Sequence, residues 1–150
     1  MTHLKKGDKA PVFNSINQNG EIVSLVDFLG KKIILYFYPK DMTPGCTAQS
    51  CDLRDNYKKL INSGYIVLGC SADSPARHLK FIDKYELPFD LISDEKREVL
   101  NSYGVWGPKK FMGREYDGIH RTTFVINEQG VLEDVITKVK TKEHTKQILL

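Results

Sequence analysis

The six consecutive apolar residues Ile33-Ile34-Leu35-Tyr36-Phe37-Tyr38, followed by Pro39, decide how the rest of this sequence is interpreted. An uninterrupted apolar run of this length is typical of a central strand covered on both faces, because both sets of alternating side chains are buried. Residues 65–70 predict a second buried strand, and residues 89–92 predict a third, short strand. These three strands are expected to share one sheet.

Helical periodicity separates the three strands. After Pro44, apolar residues recur at intervals of three or four up to Ser63-Gly64, which predicts one helix; they are Leu53, Tyr57, Leu60 and Ile61. Ser74-Pro75 begins a second predicted helix, whose apolar residues are Leu79, Phe81, Ile82 and Tyr85. Because helical crossovers join the strands, we expect them to be parallel.

The remaining segments complete an α/β pattern. The turn at residues 17–20 predicts an N-terminal hairpin of 12–16 with 21–25, and the turn at 127–130 predicts a second hairpin of 122–126 with 131–139. Residues 94–103 and 142–150 are predicted helices, and residues 104–120 a long irregular loop. The sequence therefore predicts a single α/β domain over residues 1–150, with a mixed central sheet flanked by helices.

Composition narrows the functional class. The chain has 150 residues, 41% of them hydrophobic, and a net charge of +3 spread along its length. The charge is too weak and too dispersed to predict nucleic-acid binding, and neither a signal peptide nor a membrane-spanning run is evident. We therefore expect a cytoplasmic protein without a membrane partner. Three cysteines are an odd number, which disfavours a disulfide scaffold and favours reactive or metal-binding thiols.

The first of these thiols, Cys46, lies where the first central strand gives way to its helix. Pro44 disfavours helical angles at Thr43 and is itself favoured at the first helical position, so Thr43 is predicted to cap a helix whose third residue is Cys46. The positive end of the helix dipole stabilises a thiolate there. Leu53, seven residues on, shares the helix face of Cys46, so that face is expected to point into the protein.

Cys51 follows five residues later on the same predicted helix. That offset turns the two side chains about 140° apart and separates their Cα atoms by roughly 8 to 9 Å, beyond the limit of about 7 Å for a disulfide. They cannot bond unless the helix unwinds. Cys51 falls on a polar, solvated face with Thr47, Arg54, Asp55 and Lys58, which suits a resolving thiol. Cys70 ends an apolar strand and is interpreted as a packing residue.

The segment Tyr38-Pro39-Lys40-Asp41-Met42-Thr43-Pro44-Gly45-Cys46-Thr47, together with Cys51, resembles the active site of the peroxiredoxins, and most closely their Q-type subfamily, the bacterioferritin comigratory proteins. The resemblance extends to residues 7–13, 111–119 and 121–126. It implies a thioredoxin-like fold and the reduction of hydrogen peroxide and organic hydroperoxides. Met42 and Cys70 are unusual for the family, although neither occupies a motif position.

Residue roles follow from that resemblance. Cys46 would be the peroxidatic cysteine and Cys51 the resolving cysteine that forms a disulfide with it. Pro39 would shield Cys46, Thr43 would orient the peroxide, and Arg121 would stabilise the thiolate and the polarised peroxide. Recycling by thioredoxin or a similar dithiol is implied. Since both thiols lie on one helix, a monomer is sufficient for the chemistry and is the expected state.

Other functions fit the sequence less well. A thioredoxin-type disulfide oxidoreductase would use a Cys-x-x-Cys pair, whereas four residues separate Cys46 from Cys51. A redox sensor or holdase that exposes a surface on oxidation would form the same disulfide, and only kinetic turnover separates it from a peroxidase. The four histidines lack the paired spacing of zinc ligands, and no glycine-rich phosphate loop is evident. No metal or cofactor is expected.

Overall fold

A computed structural model describes residues 2–149. Nine strands and five α-helices occur in the described chain. The strands are β1 (Asn14–Asn17), β2 (Ile22–Ser24), β3 (Lys32–Phe37), β4 (Tyr65–Ser71), β5 (Asp90–Ser93), β6 (Trp106–Phe111), β7 (Arg114–Ile119), β8 (Thr122–Ile126) and β9 (Leu132–Ile136). The helices are α1 (Pro44–Asp55), α2 (Tyr57–Asn62), α3 (Pro75–Tyr85), α4 (Glu98–Ser102) and α5 (His144–Ile148), with 3-10 turns at Leu25–Phe28 and Thr141–Glu143.

Seven strands form a mixed sheet in the order β2-β1-β5-β4-β3-β8-β9. The crossover strands β3, β4 and β5 pair in parallel, and β8 pairs antiparallel with β3 and β9. The predicted parallel pairing and both predicted hairpins are confirmed, the first hairpin being the antiparallel pair β1 and β2.

The central strand β3 contributes to both layers of the core. Ile33, Leu35 and Phe37 pack on one face of the sheet, and Ile34 and Tyr36 pack on the other. All five are at most 2% exposed, as the uninterrupted apolar run predicted. Helices α1, α2, α3 and α5 contribute to the second layer, and α4 contributes to the first. The predicted fold class, a mixed sheet flanked by helices, is confirmed.

The single helix predicted after Pro44 is wrong in one respect, because it is broken at Asn56. This residue has φ −107° and ψ 13°, and it separates α1 from α2. Its side-chain Nδ2 donates to the Asp52 carbonyl at 2.8 Å, a local bond of the kind with which asparagine competes against helix continuation. The predicted apolar faces of the two helices also included residues that are not buried, since Ile61 is 42% exposed and Leu79 is 40% exposed.

The irregular loop predicted at residues 104–120 is also wrong. Strands β6 and β7 form a separate antiparallel ribbon across most of that segment. Met112 and Gly113 make its turn with φ values of 51° and 80°, as a two-residue hairpin turn of this type requires. Because the ribbon is largely exposed on both faces, its sequence lacks the alternation that signals a half-buried strand.

Three predicted helices and strands were longer than the observed ones. The α4 helix is limited to Glu98–Ser102, β9 ends at Ile136, and the C-terminal helix begins at His144 after the 3-10 turn. The part of that helix predicted at residue 150 lies outside the described residues. The single domain predicted over residues 1–150 stays a prediction. None of the helices within residues 2–149 combines the length and apolar character needed to cross a membrane.

Candidate active site

Cys46 lies in the first turn of α1, as predicted. Thr43 has extended backbone angles, φ −84° and ψ 152°, and Pro44 is the first helical residue. The Cys46 side chain is 1% exposed and packs in the same core layer as Leu53. The inward orientation of the helix face shared by the two residues is therefore confirmed.

The Thr43 hydroxyl does not cap α1, contrary to the prediction. It donates instead to the Lys40 carbonyl at 2.8 Å, and the helix begins with the backbone bond from the Thr47 N–H to the Thr43 carbonyl. A hydroxyl has one proton and two lone pairs. Since that proton is used within the loop, the Thr43 oxygen is left to accept a hydrogen bond from another group.

Arg121 reaches Cys46 across 75 residues of sequence. Its Nη2 donates to the Cys46 Sγ at 3.3 Å. The sheet explains this contact, because β8 runs antiparallel to β3 with Phe37 opposite Thr122. The start of β8 therefore lies beside the end of β3, from which the chain passes through Pro39 into the loop before α1.

Gly45 leaves space for that guanidinium. A Cβ atom at position 45 would lie 3.2 Å from Arg121 Nη2, closer than ordinary van der Waals contact. The backbone of Gly45 does not require a positive φ. Its missing side chain thus matters for the approach of Arg121 rather than for the shape of the loop.

Gln49 is a site residue that the sequence analysis missed. It is fully buried, and its Oε1 accepts a hydrogen bond from Arg121 Nη1 at 2.6 Å. Its Nε2 has no hydrogen-bond partner among the described residues. Gln49 follows Cys46 by three residues and precedes Leu53 by four, so it shares their helix face. A polar side chain on this inward face of α1 was the signal available in the sequence.

The β6-β7 ribbon contributes to the surroundings of the site. A cavity of about 370 Å³ lies between Pro39 and the ribbon residues Trp106, Lys109 and Tyr116. The Lys109 ammonium donates to the Ile119 carbonyl at 2.9 Å. Burial, and secondarily the charge of Arg121, lower the pKa of Lys109, while Cys46 acts in the opposite direction. Lys109 is thus a second cation within electrostatic reach of the thiol.

A buried polar cluster lies behind the loop that precedes α1. Asp41, Asp73 and His78 place potential metal-ligand atoms within 4.8 Å of one another. Their side chains are already engaged in hydrogen bonds, however. His78 bonds Asp41 and the Ile92 carbonyl, and Asp73 accepts from Ser71 and Arg77. The cluster is a hydrogen-bonded network, and its geometry does not favour a metal.

Cys51 lies on the same regular helix as Cys46 and is half-buried. Burial raises the pKa of its thiol, with Arg54 opposing and Asp55 adding to the effect. The next residue, Asp52, fastens α1 to the C-terminal segment, because its carboxylate accepts from the Thr145 N–H at 2.7 Å. We call this contact the C-terminal clamp.

Cys70 is fully buried, as its interpretation as a packing residue predicted. It packs in the core layer of Leu35 and Phe37, whereas Cys46 packs on the opposite face of the sheet. Burial, with a smaller effect of Asp94, raises the pKa of Cys70 well above its ordinary value. The central sheet therefore separates Cys70 from the candidate site.

Comparison with known proteins agrees with this arrangement. Residues 6–135 match the model of the AhpC/TSA family. The chain belongs to the peroxiredoxin family. It is 51% identical over 149 residues to the putative peroxiredoxin Bcp of Haemophilus influenzae, with 99% of this chain and 96% of the relative covered. It is 49% identical to the peroxiredoxin Bcp of Escherichia coli K12, with the same coverage.

A solved peroxiredoxin structure extends the comparison to the fold. The bacterioferritin comigratory protein of Xanthomonas campestris superposes with a TM-score of 0.86 at 30% identity, covering 91% of this chain and 87% of that chain. The predicted resemblance to the Q-type peroxiredoxins and the thioredoxin-like fold are confirmed. As a peroxiredoxin, this chain is a thiol-dependent peroxidase that acts on peroxides and uses a thiol reductant.

Proposed function

We propose that Cys46 is the peroxidatic cysteine and that Arg121 and Thr43 form the peroxide site around it. The observation that carries this proposal is the 3.3 Å contact between Arg121 Nη2 and Cys46 Sγ. A fixed guanidinium stabilises the thiolate, which is the nucleophilic form of cysteine. Because Arg121 is half-buried, its charge is screened less than that of a surface arginine.

In the first step, the Cys46 thiolate attacks one oxygen of the peroxide and the O–O bond breaks. The sulfur forms a bond to the attacked oxygen, whose proton passes to the other oxygen, and that oxygen leaves as water or an alcohol. The sulfenate that remains takes a proton from solvent to become the sulfenic acid. The Thr43 oxygen accepts a hydrogen bond from the protonated peroxide, since its own proton is held by Lys40. The Arg121 guanidinium stabilises the negative charge that moves from sulfur to the leaving oxygen. Pro39, on the wall of the neighbouring cavity, shields the thiolate from water.

In the second step, Cys51 condenses with the sulfenic acid to form a disulfide and release water. Five residues of intact helix hold the two Cα atoms roughly 8 to 9 Å apart, so the first turns of α1 must unwind. A dithiol then reduces the disulfide by thiol exchange, which returns both cysteines to their starting state. We assign this role to thioredoxin or a similar dithiol protein.

Hydrogen peroxide and organic hydroperoxides are the proposed substrates. Alkyl peroxide reduction is described for the Xanthomonas campestris relative, and the cavity beside Pro39 offers space for an organic group. We propose a monomer working in the cytoplasm, where free thiols such as the three here persist. Neither nucleic acid nor a membrane is needed for this cycle.

Peroxide consumption coupled to thioredoxin and its reductase tests the proposal. Cys46→Ser is expected to abolish turnover, because a serine hydroxyl does not ionise near neutral pH and forms no sulfenic acid. Cys51→Ser is expected to allow one oxidation and then stop, with the product trapped on Cys46 and identified by mass spectrometry. Steady turnover by Cys46→Ser would refute the assignment. Consumption of a single equivalent of peroxide by the parent protein would favour the redox-sensor hypothesis.

A further inference from the structure

The loop between β3 and α1 is fixed at Asp41. All four polar atoms of this residue are engaged: the carboxylate accepts from the Tyr38 hydroxyl and bonds His78, the N–H donates to Asp73, and the carbonyl accepts from Arg77. Asp41 is 1% exposed. Its position therefore depends on contacts with Tyr38, with the segment that joins β4 to α3 and with helix α3, and not on solvent.

His78 is the member of this network that lies farthest from the loop in sequence. It is fully buried on α3. Its Nδ1 lies 2.6 Å from Asp41 Oδ2, and its Nε2 lies 3.0 Å from the Ile92 carbonyl. The Ile92 carbonyl can only accept, so Nε2 donates to it, while Nδ1 bonds the Asp41 carboxylate. His78 thus joins the loop to the backbone of β5 through one rigid ring.

The backbone beyond Asp41 needs such support. Met42 has a φ of 64°, a left-handed conformation that a non-glycine residue keeps only when its surroundings impose it. The next residue is Thr43, whose hydroxyl bonds the Lys40 carbonyl on the other side of Asp41. Displacement of Asp41 would therefore move both Lys40 and Thr43, the two ends of that bond. The Thr43 lone pairs would then turn away from the direction in which they accept a hydrogen bond from the peroxide.

We propose that His78 is a positioning residue for peroxide reduction, which acts through Asp41 to hold Thr43 in its peroxide-accepting orientation. The inference rests on the proposed role of Thr43 and Cys46. It assigns to His78 no contact with peroxide. Its consequence is selective: loss of the His78 bond to Asp41 disturbs the peroxide site, whereas the contact of Cys46 with Arg121, the residue before β8, remains.

Two neutral variants separate the two bonds of His78. In His78→Asn the side-chain amide lies where Nδ1 was and keeps the donor to Asp41. In His78→Gln the amide lies where Nε2 was and keeps the donor to the Ile92 carbonyl. Each reduced variant is mixed with hydrogen peroxide and, separately, with iodoacetamide, in single-turnover experiments. Iodoacetamide reports the availability of the Cys46 thiolate without requiring Thr43.

We expect His78→Gln to lower the rate constant with peroxide by about 10- to 100-fold, the loss typical of a reacting group misplaced by about 1 Å. Alkylation should stay within about threefold of the parent, because this reaction needs no peroxide orientation. His78→Asn should keep most of the peroxide rate. Asp41→Asn, which changes the loop side of the same contact, should reproduce the selective loss if His78→Gln does not fold.

Ile82→Ala is the matched control, since Ile82 lies on the same helix and packs against the second core layer. It should lower thermal stability and leave the ratio of peroxide rate to alkylation rate unchanged. The inference is overturned if His78→Asn and His78→Gln give the same ratio as the parent, or if both reactions slow equally. Failure of the parent protein to react with peroxide at Cys46 would instead refute the proposed function.

Discussion

The C-terminal clamp is expected to oppose the unwinding of α1 that must occur between sulfenic acid and disulfide, and its effect on that equilibrium can be predicted quantitatively. Asp52 follows Cys51 directly and accepts the Thr145 N–H at 2.7 Å. A hydrogen bond to a charged group contributes about 1.5 to 3 kcal/mol. If unwinding of α1 releases this bond, Asp52→Ala shifts the local equilibrium toward the unwound form by about 10- to 100-fold, as each 1.4 kcal/mol is about a factor of ten.

Competition between two reactions provides the assay. In the proposed cycle, the Cys46 sulfenic acid either condenses with Cys51 after unwinding or meets a second peroxide and becomes a sulfinic acid. Reduced protein is exposed to increasing peroxide in the presence of a reducing system, and the fraction that gains two oxygen atoms is measured by mass spectrometry. The peroxide concentration for half-overoxidation should rise in Asp52→Ala, by up to about 100-fold.

Asp55→Ala is the control for charge and helix composition. Asp55 is exposed on the same helix and pairs with its neighbour Arg54. It should leave the half-overoxidation concentration unchanged, and hydrogen exchange of residues 46–51 should accelerate only in Asp52→Ala. If Asp52→Ala and Asp55→Ala both match the parent, unwinding does not release the clamp and the reasoning fails.

Three further predictions concern single positions. Gly45→Ala should slow the single-turnover reaction with peroxide several-fold without lowering the melting temperature, because the new Cβ displaces Arg121 Nη2 while alanine favours the helix. Gln49→Leu should slow that reaction about tenfold by removing the acceptor that orients Arg121, whereas Gln49→Glu keeps an acceptor there and should retain most of the rate. Burial lowers the pKa of His144 from 6.5, with Arg121 acting in the same direction and the Gln147 bond and Asp52 opposing it. Since the unfolded chain then binds the proton more readily, this contribution to stability is complete above pH 6.5 and is lost as the pH falls below it; melting temperatures from pH 8 to 5 should fall less steeply in His144→Gln than in the parent.

The parts of the fold with a buried periodic face could be predicted from the sequence. Strand β3 is the clearest case, because a strand buried on both faces is apolar at every position. The β6-β7 ribbon has no such face and was missed. The break at Asn56 was missed because the spacing from Leu53 to Tyr57 and Leu60 continues across it, and that spacing does not reveal the bond from the Asn56 side chain to the Asp52 carbonyl.

The candidate site likewise has one part that could be predicted from the sequence and another that could not. Thr43, Pro44 and Cys46 are neighbouring residues of one local motif, so their arrangement at a helix start could be predicted. The bond made by the Thr43 hydroxyl could not. The roles of Gln49 and His78 depend on partners about 70 and 40 residues away. A sequence signal existed for His78, since it precedes the buried Phe81 by three residues on α3, but it could not name Asp41 as the partner.

The break between α1 and α2 at Asn56 also limits how far a distortion of α1 is transmitted along the chain. The hydrogen-bond ladders of α1 and α2 meet only at that residue, whose N–H bonds Asp52 and whose carbonyl accepts from Leu60. When a disulfide pulls on α1, the junction can absorb the change in helix direction through the two dihedral angles of one residue. Helix α2, with the buried Leu60, keeps its own packing against the sheet. In the proposed cycle, the apolar surface uncovered by unwinding is therefore expected to be confined to α1, which contributes Cys46 and Leu53 to the core, while the packing around Leu60 persists.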